Sequence, residues 1–182
     1  MKSALSCTET ATCPRRIAAF VPNWIGDAAM CTPALRALRR HYPGAELVAL
    51  GRAAICALLD DTPWLDRRIA LPPRPSFATM LGLRKTLRLD PDDIAVLFPH
   101  SLRSAVLART LGARNLLGYA RGNRSPLLTR RVQPYREQGR ITPTYMASEY
   151  LELVRALGCE DDGAGLELHA APALVGDFRD RF

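Results

Sequence analysis

The strongest constraint on the fold is a regular alternation of short apolar runs with longer amphipathic segments. Runs such as RIAAFV at 16–21 and DIAVLF at 93–98 are almost free of polar residues, which is typical of strands buried on both faces of a sheet. The segments between such runs carry apolar residues at helical spacing. This alternation predicts parallel β–α units, and therefore an α/β fold with a Rossmann-like, doubly wound parallel sheet.

The same patterns place the individual elements. Strands are expected at 16–21, 46–50, 67–71, 93–98 and 115–119, and helices at 28–42, 52–60, 77–89, 101–111 and 144–157. The basic segment 121–140 has turn residues and little periodicity, so no regular element is predicted there. The helical positions expected to be buried are Met30, Ala34, Leu35, Leu38, Met80, Leu83, Leu87, Tyr145, Tyr150, Leu153, Val154 and Leu157.

Composition along the chain divides it into three parts. We expect a loose leader at 1–15, one Rossmann-like domain at 16–158, and a linker with the start of a further strand and helix at 159–182. No secretory signal is expected, because residues 1–16 contain no continuous apolar run, and no apolar stretch approaches the roughly 18 residues that span a bilayer. The five cysteines have scattered spacings, which fits a reducing compartment. These features predict a cytoplasmic protein that is soluble or peripheral at a membrane.

Positive charge is concentrated in one region. The formal net charge is +7, and residues 100–140 hold nine arginines but a single acidic residue, Glu137. Arginine offers a planar fork that suits phosphate and carboxylate groups, so an anionic partner is favoured. A compositional bias of the genome would produce the same excess, and charge alone does not choose between nucleic acid, a membrane surface and a phosphorylated small molecule.

The loop after the first strand is the most informative segment. It reads NWIGD at 23–27, between Pro22 and the first predicted helix. In a doubly wound sheet the ligand crevice lies at the carboxyl ends of the strands, which is where this loop and residues 99–103 fall. Gly26 permits a sharp turn or the close approach of a ligand. Asp27 has two interpretations, a simple helix cap or a functional carboxylate.

Four stretches resemble one family. PNWIGDAAMCTPALRALRRHYP at 22–43 strongly resembles the opening motif of glycosyltransferase family 9, the ADP-heptose:lipopolysaccharide heptosyltransferases, and NWIGD is most similar to the heptosyltransferase II branch. LFPHSLRSA at 97–105 is similar to a second family motif, with His100 where asparagine is usual. GYARGNR at 118–124, followed by LLT at 127–129, and the helix at 145–157 are weaker matches in the expected order.

The resemblance implies the N-terminal, acceptor-binding half of a two-domain GT-B enzyme. Such an enzyme transfers heptose from ADP-heptose to the inner core of lipopolysaccharide, an acceptor made of Kdo or heptose on lipid A, with inversion. No metal and no cofactor is implied, and the ADP-heptose site is expected in a donor half of which residues 159–182 hold only the start. The chain alone is therefore expected to be nearly inactive. Localisation is expected in the cytoplasm, including peripheral contact with the inner membrane.

The resemblance also assigns roles to single residues. Asp27 matches the proposed general base, which takes a proton from the attacking sugar hydroxyl. Trp24 has a second interpretation as a core aromatic, Ser101 as a helix cap, and the three arginines as solvated surface residues. The residues expected to bind the acidic acceptor are Asn23, Trp24, Gly26, Ser101, Arg103, Arg121 and Arg124.

Three alternatives have less support. A dinucleotide-binding enzyme would share the opening strand and helix, but the loop lacks a G-x-G-x-x-G sequence. A nucleic-acid-binding module would use the arginines at 102–140, where aromatic residues are sparse, so no nucleic-acid partner is predicted. A non-catalytic domain of the same ancestry, binding core oligosaccharide or another anion, is the third alternative.

Overall fold

A computed structural model of the protein describes residues 13–137, 140–142 and 144–169. At its centre is a six-stranded parallel sheet in the order β3-β2-β1-β4-β5-β6. The predicted Rossmann-like α/β fold is confirmed, and all five predicted strands are present. The strands are β1 (Arg16–Phe20), β2 (Glu46–Gly51), β3 (Arg67–Ala70), β4 (Ile94–Leu97), β5 (Asn115–Tyr119) and β6 (Arg130–Val132).

The sheet is covered on both faces. Successive strand residues point to opposite sides, so on β1 Ile17 and Ala19 belong to one core while Ala18 and Phe20 belong to the other. The first core contains residues of α1, α2, α3 and α6, and the second contains residues of α4 and α5. The helices are α1 (Ile25–Met30), α2 (Thr32–His41), α3 (Ala53–Leu58), α4 (Phe77–Leu87), α5 (Leu102–Thr110) and α6 (Met146–Arg155).

The single helix predicted at 28–42 is wrong, because the chain forms two helices that meet at Cys31. Pro33 has no N–H with which to bond the carbonyl of Ala29, four residues earlier. The hydroxyl of Thr32 donates to that carbonyl instead, at 2.7 Å. None of the helices in the described part of the chain is long and apolar enough to cross a bilayer.

The basic segment 121–140 is more regular than predicted. It contains a 3-10 helix (Ser125–Leu127), the sixth strand β6, and a small hairpin of β7 (Arg136–Glu137) and β8 (Arg140–Ile141). β6 lies parallel to β5, with Val132 opposite Tyr119, and forms one edge of the sheet. That edge carries two exposed arginines, Arg130 and Arg131, and the opposite edge β3 also begins with two arginines.

Helix α6 fits the buried positions predicted for it with one exception. Tyr150, Leu153, Val154 and Leu157 are all buried in the first core. Tyr145 is 61% exposed, so its predicted burial is wrong. The reason is that α6 begins at Met146, two residues later than predicted, so Tyr145 is its extended N-cap residue rather than part of its apolar face.

The linker residues within 159–169 are held against helix α2. Arg36, only 6% exposed, donates hydrogen bonds to both carboxylate oxygens of Asp162 at 2.7 and 2.6 Å. It also contacts Glu167 at 3.0 Å and the carbonyl of Gly165 at 3.1 Å. The further strand expected within 159–182 is absent from the described residues up to His169. The predicted further helix and the first twelve residues of the leader lie outside the described residues.

The strand order creates a crevice at the carboxyl edge of the sheet. β1 and β4 are neighbours, with β2 and β3 on one side and β5 and β6 on the other. The chain therefore leaves β1 towards the first face and β4 towards the second. At such a switch point the two loops diverge and leave room for a ligand.

Candidate functional site

The crevice is bordered by the segments that follow β1, β2, β3 and β4. Its lining combines apolar side chains such as Leu71 and Leu107 with polar groups from Asn23, Ser101 and Arg103. Three of the predicted acceptor-binding residues therefore meet here. Arg52, which directly follows β2, also lines this space. The crevice wall therefore contains two arginine side chains.

Asp27 is the third residue of α1 rather than its cap. Trp24 occupies the N-cap position, so the interpretation of Asp27 as a simple cap is wrong. The Asp27 side chain is partly exposed and makes no hydrogen bond or ion pair with any residue that the structure describes. A carboxylate that the fold leaves unpaired is available to accept a hydrogen bond from a ligand.

The two other features of this loop are open to solvent. Trp24 is 77% exposed, so the alternative of a core aromatic is wrong. Gly26 has an ordinary backbone conformation, and a β-carbon added there would meet no atom within 4 Å. The turn itself does not require glycine at this position, and the space beside the Gly26 backbone is free for a ligand.

Ser101 and Arg103 stand at the start of α5. The Ser101 hydroxyl accepts a hydrogen bond from the Ser104 amide at 3.2 Å, which confirms the helix-cap alternative for this residue. The exposed guanidinium of Arg103 donates to the carbonyl of Pro73. No carboxylate pairs with it among the described residues, so its charge faces the crevice unbalanced.

A second group of polar residues forms a ring beside the crevice. Arg121 donates to Nδ1 of His100 at 3.2 Å and to the Glu149 carboxylate at 3.4 Å. The Thr144 hydroxyl donates to the same carboxylate oxygen at 2.8 Å. Nε2 of His100 lies 3.6 Å from the other Glu149 oxygen. Tyr119 packs against both His100 and the Arg121 guanidinium, with its ring 5.3 Å from that of His100.

These partners define the protonation of His100. Because Arg121 donates to Nδ1, the neutral ring carries its proton on Nε2, which faces Glu149. Burial lowers the pKa of His100, and the charge of Arg121 lowers it further, while Glu149 and Asp27 oppose this shift. His100 is therefore neutral at pH 7. Its single N–H faces the Glu149 carboxylate within this group of residues rather than a ligand.

Arg124 lies beneath this ring and is fully buried. Its guanidinium donates to the carbonyls of Tyr119, at 3.0 Å, and of Pro99, and contacts the Ser104 hydroxyl at 3.3 Å. Burial lowers the pKa of Arg124 to about 10, and the charge of Arg121 adds to the effect. The alternative of a solvated surface arginine is wrong for this residue, and its contact with an acceptor stays a prediction. It ties the loops after β4 and β5 together.

Polar atoms without a partner are concentrated at this place. Among the described residues, buried side-chain atoms that lack a hydrogen bond include Nε of Arg121, Nη2 of Arg124, Nε2 of His100 and Oε2 of Glu149. Such atoms are rare in folded proteins and call for a physical explanation. Two of these four, Nε2 of His100 and Oε2 of Glu149, face each other at 3.6 Å, and all four belong to one cluster at the carboxyl ends of the strands.

The sequence interpretation missed Glu149, which holds the ring together. Its position was visible as an anomaly, because it stands four residues before Leu153 and next to Tyr150 on the buried side of α6. An acidic residue at such a position is seldom tolerated unless it is paired. The role of His100 could not be read in advance, because its partners come from distant parts of the chain.

Comparison with known proteins finds matches in structure but not in sequence. No protein-family model matches the chain, and no curated protein matches it in sequence. Solved structures do match. The glycosyl transferase family 9 protein from Veillonella parvula DSM 2008 superimposes with a TM-score of 0.73 and 19% identity, over 91% of this chain and 48% of that one. The chain has the fold of half a family 9 glycosyltransferase.

Two Escherichia coli enzymes also match this fold. ADP-heptose lps heptosyltransferase II matches with a TM-score of 0.72 and 21% identity, over 92% of this chain and 50% of its own. Heptosyltransferase WaaC with ADP-2-deoxy-2-fluoro heptose matches with a TM-score of 0.66 and 17% identity, over 84% of this chain and 51% of its own. The chain thus spans about half the length of each structure it matches.

Proposed function

We propose that this chain is the acceptor-binding half of an inverting family 9 glycosyltransferase that transfers heptose from ADP-heptose to the inner core of lipopolysaccharide. The observation that carries the proposal is the carboxylate of Asp27, which no described residue pairs, at the carboxyl edge of a fold shared with heptosyltransferases. The edge around it carries several arginines, which suits an acceptor with carboxylates and phosphates.

The chemistry assigned to Asp27 is general base catalysis. A sugar hydroxyl is a weak nucleophile, so its proton must be removed as its oxygen bonds to the anomeric carbon. In the proposed step Asp27 takes that proton. The bond between the anomeric carbon and the diphosphate oxygen breaks on the opposite side, and its electron pair leaves with ADP. The anomeric centre is inverted, and neither a metal nor an organic cofactor takes part in the proposal.

Acceptor recognition is assigned to two arginines with different surroundings. Arg103 is exposed on the crevice wall, where its fork can pair with a carboxylate or phosphate of the acceptor. Arg121 is held in orientation by His100 and Glu149, so it loses little rotamer freedom when a ligand binds. Asn23, Trp24 and Gly26 are proposed to border the sugar. Arg124 acts by holding the loops.

The donor is proposed to bind elsewhere. The WaaC structure contains an ADP-heptose analogue and is about twice as long as the part that this chain matches. We place the ADP-heptose site in an equivalent second half, so the residues described here are expected to bind acceptor without donor. An enzyme that uses a nucleotide sugar and a lipid-linked acceptor is expected to act at the cytoplasmic side of the inner membrane.

Calorimetric titration of the purified chain tests the proposal. A soluble Kdo-containing inner-core acceptor is expected to bind, with weaker binding as salt is added, and ADP-heptose is expected not to bind. Arg103→Ala and Arg121→Ala should each weaken acceptor binding by about tenfold or more, as lost charge-assisted bonds do. Arg114→Ala is the matched control, because Arg114 is an exposed arginine just before β5, at the amino ends of the strands.

Each outcome separates the candidates. Binding of ADP-heptose without binding of acceptor would show that the two halves have been assigned the wrong way round. Equal loss of acceptor affinity in the Arg114→Ala control would reduce the effect to net charge. Acceptor binding that is retained while a complete enzyme with the same first half shows no heptosyl transfer would favour the non-catalytic oligosaccharide-binding domain.

A further inference from the structure

Helices α4 and α5 form the outer layer of the second face of the sheet. Both pack on the second core, through Met80 on α4 and Ala105 on α5. Two observations show that the helices run side by side in the same direction. Arg103 at the start of α5 bonds the carbonyl of Pro73, shortly before α4, and a β-carbon at Gly112, just after α5, would lie 3.4 Å from Nε of Arg84.

The solvent side of this helix pair is unusually apolar. Phe77 and Leu81 on α4 are 85% and 46% exposed, and Leu102 and Val106 on α5 are 44% and 48% exposed. Each pair is separated by four residues, so each lies on one side of its helix. All four belong to the first two turns, at the end of the helices next to the crevice. A patch of exposed apolar side chains on a protein surface is typical of an interaction surface.

The charges beside these residues are all of one sign. Neither α4 nor α5 contains an acidic residue, and none occurs anywhere from 67 to 89. Arg74, Arg84, Lys85 and Arg103 are exposed, and none of them pairs with a carboxylate in the described part of the chain. Among the described helices, acidic residues occur only on α1 and α6, which cover the first face.

We propose that this surface, the α4–α5 face, docks on the headgroup layer of an anionic lipid bilayer. The face consists of Phe77, Leu81, Leu102 and Val106 with Arg74, Arg84, Lys85 and Arg103. An amphipathic helical surface buries its apolar side chains at the boundary of headgroups and acyl chains, while basic residues contact anionic lipids. A bilayer satisfies both halves of this pattern, whereas a nucleic acid would leave the apolar side chains in water.

Docking in this way also orients the crevice. Arg103 belongs both to this face and to the crevice wall, and it donates to the carbonyl of Pro73, which also lines the crevice. A molecule seated on its α4–α5 face therefore presents the crevice at the level of the headgroups. The docking itself does not depend on the proposed function, but this geometry is useful only if the acceptor is lipid-linked, and in that respect it rests on the proposed function.

Co-sedimentation with vesicles tests the docking. The full chain is mixed with vesicles of phosphatidylethanolamine and phosphatidylglycerol, or with vesicles of phosphatidylcholine alone, none of which contains saccharide. Binding is expected to the anionic vesicles only and to decrease with salt. The double variant Phe77→Ser/Leu81→Ser should bind at least about tenfold more weakly. Arg84→Gln/Lys85→Gln should lose about fivefold for each charge removed.

Two controls match these variants. Tyr135→Ser removes an aromatic residue that is 58% exposed in the β7–β8 region, and Arg114→Gln/Arg155→Gln removes two charges away from the face. Both controls should bind the vesicles as the unaltered chain does. Equal losses in controls and test variants, or equal binding to both kinds of vesicle, would overturn the proposal.

Two further measurements keep the outcome unambiguous. Gel filtration of Phe77→Ser/Leu81→Ser shows whether the face joins two copies of the chain; a change of oligomeric state without a change in vesicle binding would overturn lipid docking. Calorimetry of the same variant with the soluble acceptor should give unaltered affinity. In the unaltered chain, failed vesicle binding with intact acceptor binding would refute the docking surface alone, and vesicle binding without acceptor binding would refute the proposed function alone.

Discussion

Asp27 carries a charge that the described fold does not use. Its carboxylate has no hydrogen bond or ion pair in the described structure, so the folded state gains little from it. We expect Asp27→Asn to change the free energy of unfolding by less than about 1 kcal/mol, the scale of a charge in the first turn of a helix. Urea denaturation of both forms measures this directly.

The reference variant for Asp27→Asn is Glu149→Gln. The buried Glu149 carboxylate accepts from Arg121 and Thr144, so its neutralisation should cost clearly more than the Asp27 variant, on the order of 2 kcal/mol. If Asp27→Asn were the more damaging of the two, Asp27 would be a structural residue, and its assignment as a base would lose its support.

His100 makes stability depend on pH. Burial lowers its pKa below the value of about 6.5 that it has in the unfolded chain. Between these two values the unfolded chain binds more protons, so stability is complete above pH 6.5 and decreases as the pH falls towards the folded pKa. We expect His100→Asn, which cannot be protonated, to lose less stability than the unaltered chain between about pH 7.5 and pH 5.

Denaturant unfolding at the two pH values provides the measurement for His100. His41→Asn, which alters an exposed histidine at the end of α2, is the control and should keep the pH dependence of the unaltered chain. Identical pH dependence in the His100 variant would mean that the folded protein accommodates the charged imidazole and that the ring around it opens.

At the residue scale, sequence patterns located the important loops better than the roles of single side chains. Asp27 was singled out because it follows the first strand, which is a local property. Arg124 and Glu149 depend on contacts between segments far apart in the chain, and no spacing in the sequence encodes such contacts. Arg124 was consequently assigned to a surface from which it is entirely absent.

At the scale of elements, the contact between α2 and residues 159–169 depends on Arg36. The pKa of Arg36 is raised chiefly by its hydrogen bond to Asp162, which shows how closely the two groups are matched. We expect Arg36→Met to release this segment from α2. Hydrogen exchange at the Glu167 amide, which donates to Thr32, should then accelerate by at least about tenfold because that bond opens.

Arg40→Met is the matched control for this element. Arg40 is 57% exposed and contacts Asp162 at 3.1 Å, so it shares one partner of Arg36 without being buried. Its replacement should leave the protection of the Glu167 amide almost unaltered. Equal acceleration in both variants would mean that surface attraction, rather than the buried guanidinium, holds the segment in place.

Elements were predictable where local pattern and tertiary structure agree. The five strands with apolar runs were found because burial on both faces imposes such runs. β6 was missed because it is a three-residue edge strand with the sequence RRV, which pairs only because β5 offers it an edge. The break before Pro33 could have been predicted, since a proline inside a helical pattern usually interrupts the helix.

At the scale of the whole molecule, α6 completes the first core. Tyr150, Leu153 and Val154 are at most 3% exposed, and burying each such side chain contributes about 1.5–3 kcal/mol. Their sum approaches the 5–15 kcal/mol by which whole domains are typically stable. We expect a chain that ends at residue 145 to lose cooperative unfolding, and a chain that ends at residue 169 to keep it.

Circular dichroism during urea denaturation distinguishes the two truncated chains. A sharp transition in the chain that ends at 145 would show that α6 is an accessory to the fold rather than part of its core. In that case the ring around Glu149 would also be dispensable for folding.

The two open edges of the sheet have a consequence for the behaviour of concentrated solutions. Each edge strand is short, and each carries two adjacent arginines. An unpaired strand edge is a template on which a second copy can add its own strand, the first step towards ordered aggregates. Arg130 and Arg131 of β6 are exposed, so copies of this protein that approach through β6 bring like charges together, and growth by strand addition is opposed at that edge.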